Sequence, residues 1–511
     1  MTDRNRIRKE KHMMSEALKK ARDFEAQYTP YVPQNERPMF HVTGGIGWIN
    51  DPNGFSVYKG EYHLFFQYYP YKPIWGPMHW GHVKTKDFIR WERLPVALAP
   101  DMPYDKDGCF SGSAIELPDG RQLLMYTGVR EEPQEDGSQK SYQTQCLAVG
   151  DGVNYEKIAE NPVLTAKDLP KGGSSEDFQD PKIWHEDSGY YVVAGNRPAD
   201  GSGSILLFRS DDAFHWKYYG RAASNHGQYG MMWECPDYFK LEGKDVLFVS
   251  PQEMSPIGLE FHAGNGTVCM IGEADEMKHL IRENVHAIDY GIDFYAPQTL
   301  LAPDGRRIMI AWMQNWDTAR SYPKGMRICG QMTLPRELSI RDGRLIQQPV
   351  RELANYYGEK ISYKNVPMST ETFLTGIRGR VIDLTVDVRP ANGSTMYRSF
   401  KLNLAKDGEH VTTIRYKPEQ GIVRVDRSRC GLRFDIVHVR EFPVYSKGGC
   451  IRLRCILDRH SLELFVNDGE QVASFVLHTD ESADVISFEA DGEVRMDVEK
   501  YDLIFDEEKE A

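Results

Sequence analysis

Trp48-Ile49-Asn50-Asp51-Pro52-Asn53-Gly54 leads through the turn Lys59-Gly60 into the apolar run His63-Leu64-Phe65-Phe66-Gln67, and this pattern decides the fold. A polar motif, a short strand, a glycine turn and an apolar strand make one β-hairpin unit. The unit returns along the chain. Phe110-Ser111-Gly112-Ser113 precedes Leu123–Thr127, Asp180-Pro181-Lys182 precedes Tyr190–Ala194, Glu234-Cys235-Pro236-Asp237 precedes Val246–Ser250, and Asp293 to Pro297 precedes Ile308–Trp312. The turns between are Asp119-Gly120, Ser188-Gly189, Glu242-Gly243 and Asp304-Gly305. A hairpin unit recurring every ~60 residues marks a β-propeller, and five occurrences predict five blades. Successive blades aim equivalent positions at one central channel. Asp51, Asp180 and Glu234 hold such positions in three blades, so they are expected to converge although far apart in sequence.

Outward from the repeat, the propeller is expected over residues 36–345. Residues 1–35 form an N-terminal extension. Its stretch 12–28 is helical by spacing, through Met14, Leu18 and Ala21 and through Ala17, Ala21 and Phe24. So many charges leave it only a narrow face, to dock on the body or on a partner subunit; Pro30 and Pro33 end it. Residues 346–360 are expected to be a linker helix. Residues 361–511 alternate apolar with polar, as in Ile382, Leu384, Val386, Val388 and again Leu462, Leu464, Val466. The expected fold is therefore all-β: a five-bladed β-propeller, then a C-terminal antiparallel β-sandwich, with a short N-terminal helix.

Composition excludes several function classes. The 511 residues carry 75 acidic and 62 basic side chains, a net charge of −13, so a phosphate backbone is repelled and nucleic acid is an unfitting partner. The apolar runs are strand-sized, so no membrane helix is expected. The first residues are charged throughout and show no secretory h-region, which makes the cytoplasm the expected compartment. The 8 cysteines form no Cys-x-x-Cys pair and read as free thiols. His79 and His82 have no evident third ligand, so no metal is expected and they read as satisfied polar residues.

Three carboxylates around one channel, set among aromatics, point to sugar chemistry. Glycosidic cleavage needs one carboxyl group to protonate the leaving oxygen and another to attack the anomeric carbon or to activate water. Trp48, Trp75, Trp80 and Trp233 put aromatic faces beside these acids, and rings pack on the C–H faces of sugars.

Trp48 to Gly54 resembles the W-[MI]-N-D-P-N-G signature of glycoside hydrolase family 32, the β-fructofuranosidases. Six further segments resemble the family in order: His63–Pro70, Trp75–Trp91, Phe110–Ser113, Trp233–Asp237, Met332–Leu338 and Asp458–Glu470. The resemblance spans about residues 36–505. It implies a retaining double displacement on terminal fructofuranosyl units. Asp51 would be the nucleophile, Glu234 the general acid and then base, and Asp180 the support for the transition state. Trp48, Asn50, Gln67, Trp75, Phe110 and Ser111 match positions that line the family's sugar pocket.

One position departs. Where the family usually carries Arg-Asp-Pro, this chain has Gln179-Asp180-Pro181, and the amide brings neither charge nor a bidentate fork. Altered recognition in the first subsite is expected, with Gln179 itself contacting the sugar. Glu234 is expected to stay protonated through burial and neighbouring carboxylates. Cys235 reads as a small filler, Asp293 as structural or a rim hydroxyl binder, and Tyr295, Trp312 and Trp316 as an outer subsite or channel wall. The expected substrates are sucrose, sucrose 6-phosphate or short fructo-oligosaccharides, with no cofactor. A homo-oligomer would form through the N-terminal helix or the sandwich. The alternatives are a fructosyltransferase, another propeller glycosidase, or a non-catalytic sugar-binding propeller.

Overall fold

A computed structural model describes residues 14–319, 322–391, 396–432 and 435–505. Seven sheets and one α-helix make up the described chain. Five sheets are blades, and each begins with an inner strand: Gly47–Tyr58, Gly108–Glu116, Phe178–Glu186, Trp233–Leu241 and Tyr295–Leu301. Each inner strand packs beside the next, and the last returns to the first. The glycine turns fall between each inner strand and its antiparallel neighbour.

Side chains stitch the inner strands around the axis. Ser113 Oγ donates to the Pro181 carbonyl (2.7 Å) and accepts from the Ile183 amide (2.8 Å), tying the second blade to the third. Lys182 Nζ donates to the Thr299 carbonyl (2.7 Å) and pairs with Asp237 (3.1 Å), joining the third, fourth and fifth blades. Gln298 accepts from the Phe55 amide (2.8 Å) and donates to the Gly112 carbonyl (3.0 Å), joining the fifth to the first and second. The ring is latched by Ile328–Cys329, which pairs in parallel with Gly47 and Trp48 of the first blade.

The sandwich holds a six-stranded and a five-stranded antiparallel sheet. Ile382, Leu384, Val386 and Val388 are buried, as their alternation predicts. Strands Ser461–Val466 and Gln471–Val476 are buried on both faces. Their other face meets the propeller. Arg336, fully buried, donates to Asp289 (2.9 Å), Glu463 (2.5 Å) and the Ser474 hydroxyl (2.6 Å). Glu463 in turn bonds His41 Nε2 (3.0 Å), and His41 Nδ1 bonds Asp458 (2.8 Å). Asp293 is structural: it accepts from Arg427 of the sandwich, from Thr318 (2.9 Å) and from the Val476 amide (2.8 Å).

Two helical expectations change in extent. Over 346–360 the chain finishes a strand at Pro349, makes a short 3-10 helix at Arg351–Tyr356 and enters a strand at Tyr357. Neighbouring strands provide pairing for both ends, which overrides the local helical pattern. The N-terminal helix runs Glu16–Tyr28, capped by Ser15, whose hydroxyl accepts from the Leu18 amide (3.1 Å). Residues 12 and 13 of the expected helix lie outside the described residues. Leu18 and Ala21 dock on the first blade, while Met14 precedes the cap and is exposed. Arg22 fixes the docking by donating to the Val96 carbonyl (2.8 Å) and to Asn154 (2.9 Å). No helix among the described residues is long and apolar enough to cross a membrane.

Candidate active site

Proline shapes the site before any charge does. Each inner strand slips register with its neighbour at the motif, and Pro52, Pro181, Pro236 and Pro297 sit at four of those slips. Proline lacks the N–H a ladder needs, so a bulge forms there and re-aims the flanking side chains. Asp180, Cys235 and Ala296, each just before a proline, have φ of 62°, 46° and 51°. A left-handed non-glycine residue costs roughly 1–2 kcal/mol, which the surrounding bonds must offset.

The bulges bring the three carboxylates together. Asp51 Oδ2 accepts from Ser111 Oγ (2.6 Å), while the buried Oδ1 has no hydrogen-bond partner. Asp180 Oδ2 accepts from the Cys235 amide (2.9 Å) and from Gln179 Nε2 (3.3 Å). The Cys235 sulfur lies 3.5 Å from Asp51 Oδ2 and 3.6 Å from Asp180 Oδ2, spanning the two acids. Burial and three carboxylates push this thiol well above its ordinary range, so it keeps its hydrogen and donates. Cys235 thus does more than fill space.

Glu234 is held from two sides. Gln179 Nε2 donates to its Oε1 (2.7 Å), and Tyr295 Oη lies 2.7 Å from its Oε2. Tyr295 Oη also lies 3.0 Å from the Ser250 carbonyl. A phenol has one hydrogen, and a carbonyl only accepts. Both contacts are satisfied when Glu234 is protonated and donates to Tyr295, which donates to Ser250. Burial, then Asp180 and Asp51, push Glu234 up to about 8. Burial and Asp51 push Asp180 up to about 7. Burial also raises Asp51, against hydrogen bonds from Ser111, Asn50 and Cys235. The largest influences on these three groups are burial, the neighbouring carboxylates and neutral hydrogen-bond donors. The arrangement can therefore supply a protonated carboxylic acid beside a hydrogen-bonded carboxylate at neutral pH.

Of the expected sugar-pocket residues, Ser111 and Gln179 bond the acids directly, and the others are placed by contacts among themselves and with the neighbouring backbone. Trp48 is buried and donates to Asn50 Oδ1 (2.8 Å). Gln67 is buried and donates to the Cys109 carbonyl (3.0 Å). Trp75 is 46% exposed and meets the Phe110 ring edge-on at 6.1 Å. Ser111 is the hydroxyl donor to Asp51, and Gln179 is buried against the other two acids. Outside them lies a cavity of about 1490 Å³, lined in part by Trp48, Trp75, Trp316, Tyr322, Lys324 and the sandwich's Leu432. Trp316 stacks on Trp48 at 6.5 Å and lines that cavity, whereas Trp312 is fully buried wall. His79 Nδ1 bonds the Pro77 carbonyl (2.9 Å), as expected of a satisfied polar residue; His82 Nε2 bonds His63 Nδ1 (2.9 Å), but its buried Nδ1 has no hydrogen-bond partner, so that expectation holds for His82 only in part.

Sequence reasoning missed the role of Tyr295 against Glu234, and it missed Thr127, Gln143 and Gln145 altogether. The signal available for the glutamines is their spacing: two polar residues two apart in Gln143-Thr144-Gln145, on a strand otherwise bound for the core.

Known proteins resemble this chain over most of its length. The glycosyl hydrolases family 32 N-terminal domain matches residues 41–349, and that family's C-terminal domain matches residues 352–503. A sucrose-6-phosphate hydrolase of Zymomonas mobilis is 36% identical over 447 residues, 85% of this chain and 84% of its own. A raffinose invertase of Escherichia coli is 36% identical over 456 residues, 86% and 88% of the two chains. The solved glycoside hydrolase family 32 β-fructofuranosidase of Bombyx mori superposes with a TM-score of 0.81 at 33% identity, over 95% of this chain and 98% of that one.

Proposed function

This chain belongs to glycoside hydrolase family 32, and from that premise we propose that Asp51, Glu234 and Asp180 release terminal β-fructofuranosyl units with retention of configuration. The chain is a β-fructofuranosidase-type glycoside hydrolase. Glu234, protonated, turns its hydrogen from Tyr295 to the glycosidic oxygen and gives it up as the C2–O bond breaks, and the Tyr295 hydroxyl then donates to the carboxylate left behind. The unengaged Oδ1 of Asp51 attacks C2 and forms a fructosyl ester. Glu234, now ionised, takes a proton from water; that water attacks C2 and expels Asp51. Asp180 hydrogen-bonds the ring hydroxyls and balances the charge that develops on the oxocarbenium-like ring. The observation that carries this reading is the meeting of the three acids, with Glu234 raised to about 8 by burial and by the other two.

The substrates that fit are sucrose, sucrose 6-phosphate and short fructo-oligosaccharides. The leaving group would occupy the large cavity, against Trp75 and Trp316, and exposed Lys324 gives a phosphate there a cation. The test is fructose release from sucrose, sucrose 6-phosphate, kestose and a difructose anhydride, with the first anomer formed followed by NMR. Release of β-fructofuranose supports the reading. No release from any of the four, or α-fructofuranose as the first product, rejects it.

A further inference from the structure

Blade two sends two glutamines across to blade three. Gln143 and Gln145 lie on strand Gln139–Gly150, two apart and so on one face. They are 5% and 0% exposed. Between them they grip Phe178, the residue ahead of Gln179-Asp180. The Phe178 amide donates to Gln143 Oε1 (2.7 Å), and the Phe178 carbonyl accepts from Gln145 Nε2 (2.8 Å). A backbone N–H only donates and a carbonyl only accepts, so neither glutamine amide has a choice of orientation.

Two chains of hydrogen bonds follow from that. In the first, Gln143 Nε2 must face Gln179 Oε1, 2.9 Å away. Gln179 Nε2 is thereby turned to Glu234 Oε1 (2.7 Å) and Asp180 Oδ2 (3.3 Å). In the second, Gln145 Oε1 accepts from the Thr127 hydroxyl (2.9 Å), which leaves the Thr127 oxygen to accept from the Asp180 amide (2.9 Å). That bond holds the left-handed backbone of Asp180.

We propose that Gln143 is a positioning residue for the proton-donating carboxyl: it dictates which end of the Gln179 amide Glu234 meets, and so sets where Glu234 ionises, while Gln145 acts through Thr127 on the backbone of Asp180. An arginine at 179 would need no such device, because every polar atom of a guanidinium donates. An amide has an accepting end, and the Gln143 bond holds that end away from the acid, with the longer bond to Asp180 Oδ2 assisting. Freed from Gln143, Gln179 presents its carbonyl to Glu234, which bonds the protonated carboxyl and disfavours the carboxylate. The inference rests on Glu234 being the acid of the proposed reaction, and its test is read without substrate.

The experiment is a carboxyl ¹³C NMR titration of glutamate-labelled protein, with Glu234 assigned by its loss in Glu234→Gln. Parent, Gln143→Met, Gln179→Met and the double variant are compared. Gln143→Met is expected to raise the Glu234 midpoint by about one pH unit, since a donor to a carboxylate is worth roughly that much. In the Gln179→Met background the same change is expected to do nothing, because Gln143 acts only through Gln179. Gln145→Met is expected to leave the midpoint in place and to lower kcat about tenfold. Should Gln143→Met not fold, Gln143→Glu keeps the acceptor for Phe178 and removes the donor, and the same cycle subtracts its charge. An unmoved midpoint in Gln143→Met, an equal shift in both backgrounds, or a Gln145→Met shift as large as that of Gln143→Met overturns the proposal. If the cycle behaves as expected while the parent releases no fructose, the reading of the substrate falls and the positioning role stands.

Discussion

Asp51 and Glu234 differ in what their oxygens touch, and that difference assigns them opposite work. Asp51 has a hydroxyl donor on one oxygen and none on the other, so Asp51→Asn should keep the fold and lose kcat by three or more orders of magnitude. Single-turnover assays check this, and retained activity removes Asp51 from the nucleophile role. Glu234 has the reverse problem: its charge is unwelcome. Between the ordinary carboxylate range and about 8, the folded protein holds a proton that the unfolded chain has released, so stability falls as pH rises through that window. Glu234→Gln removes the charge and keeps the shape. Its Tm should exceed that of the parent by about 2–5 °C at pH 9 and match it at pH 4.5, as measured by calorimetry. The same buried group gives activity a falling limb near pH 8, as the acid loses its hydrogen. Tyr295→Phe should lower kcat while leaving KM nearly unchanged, since Tyr295 is fully buried behind the acid.

At the level of strands, catalysis depends on bulges, and one glycine shows how tightly they are built. A Cβ on Gly112 would lie 2.0 Å from the Met125 carbonyl oxygen and 2.8 Å from the Tyr126 Cα, both backbone atoms that cannot step aside. Gly112→Ala should therefore push the bulge outward and carry the adjacent Ser111 off Asp51. At least a tenfold loss in kcat/KM is expected, with Tm lowered as well; an unchanged enzyme would show that the bulge does not set Ser111. The hairpin repeat that carries these bulges was legible in the sequence because prolines and turn glycines announce it, as at Asp51-Pro52 and Asp180-Pro181, whereas the bulges themselves appear only in the strand register. The convergence of the acids was legible for the same reason, since a repeat carries register with it. The ends of elements were less so: residues 346–360 look helical locally, but pairing partners at both ends draw most of them into strands. Least legible were Gln143, Gln145 and Thr127. Most of their partners lie in the next blade, and the two-residue spacing of the glutamines does not by itself tell a glutamine that grips Phe178 from one that meets water.

Over the whole molecule, a network of fully buried charges lies between the propeller and the sandwich. Arg336 meets Asp289 and Glu463, all three fully buried, and His41 lies between Glu463 and Asp458. Arg336→Met strands two carboxylates in a dry interface and should cost about 3–5 kcal/mol, read as an earlier urea midpoint. Asp458 and Glu463 hold His41 up to about 9 against burial. Its raised value stabilises the fold fully below about 6.5, and the benefit is lost as pH rises through 9. His41→Gln should thus lose roughly 3 kcal/mol at pH 6 and little at pH 10. Because the counterions of Arg336 and His41 belong partly to the second domain, the two halves of the chain are not interchangeable cassettes. A gene cut after codon 350 would encode a ring whose interface cations lack Glu463 and Asp458, and grafting an unrelated sandwich onto it would succeed only if the donor brought acids to the same two places.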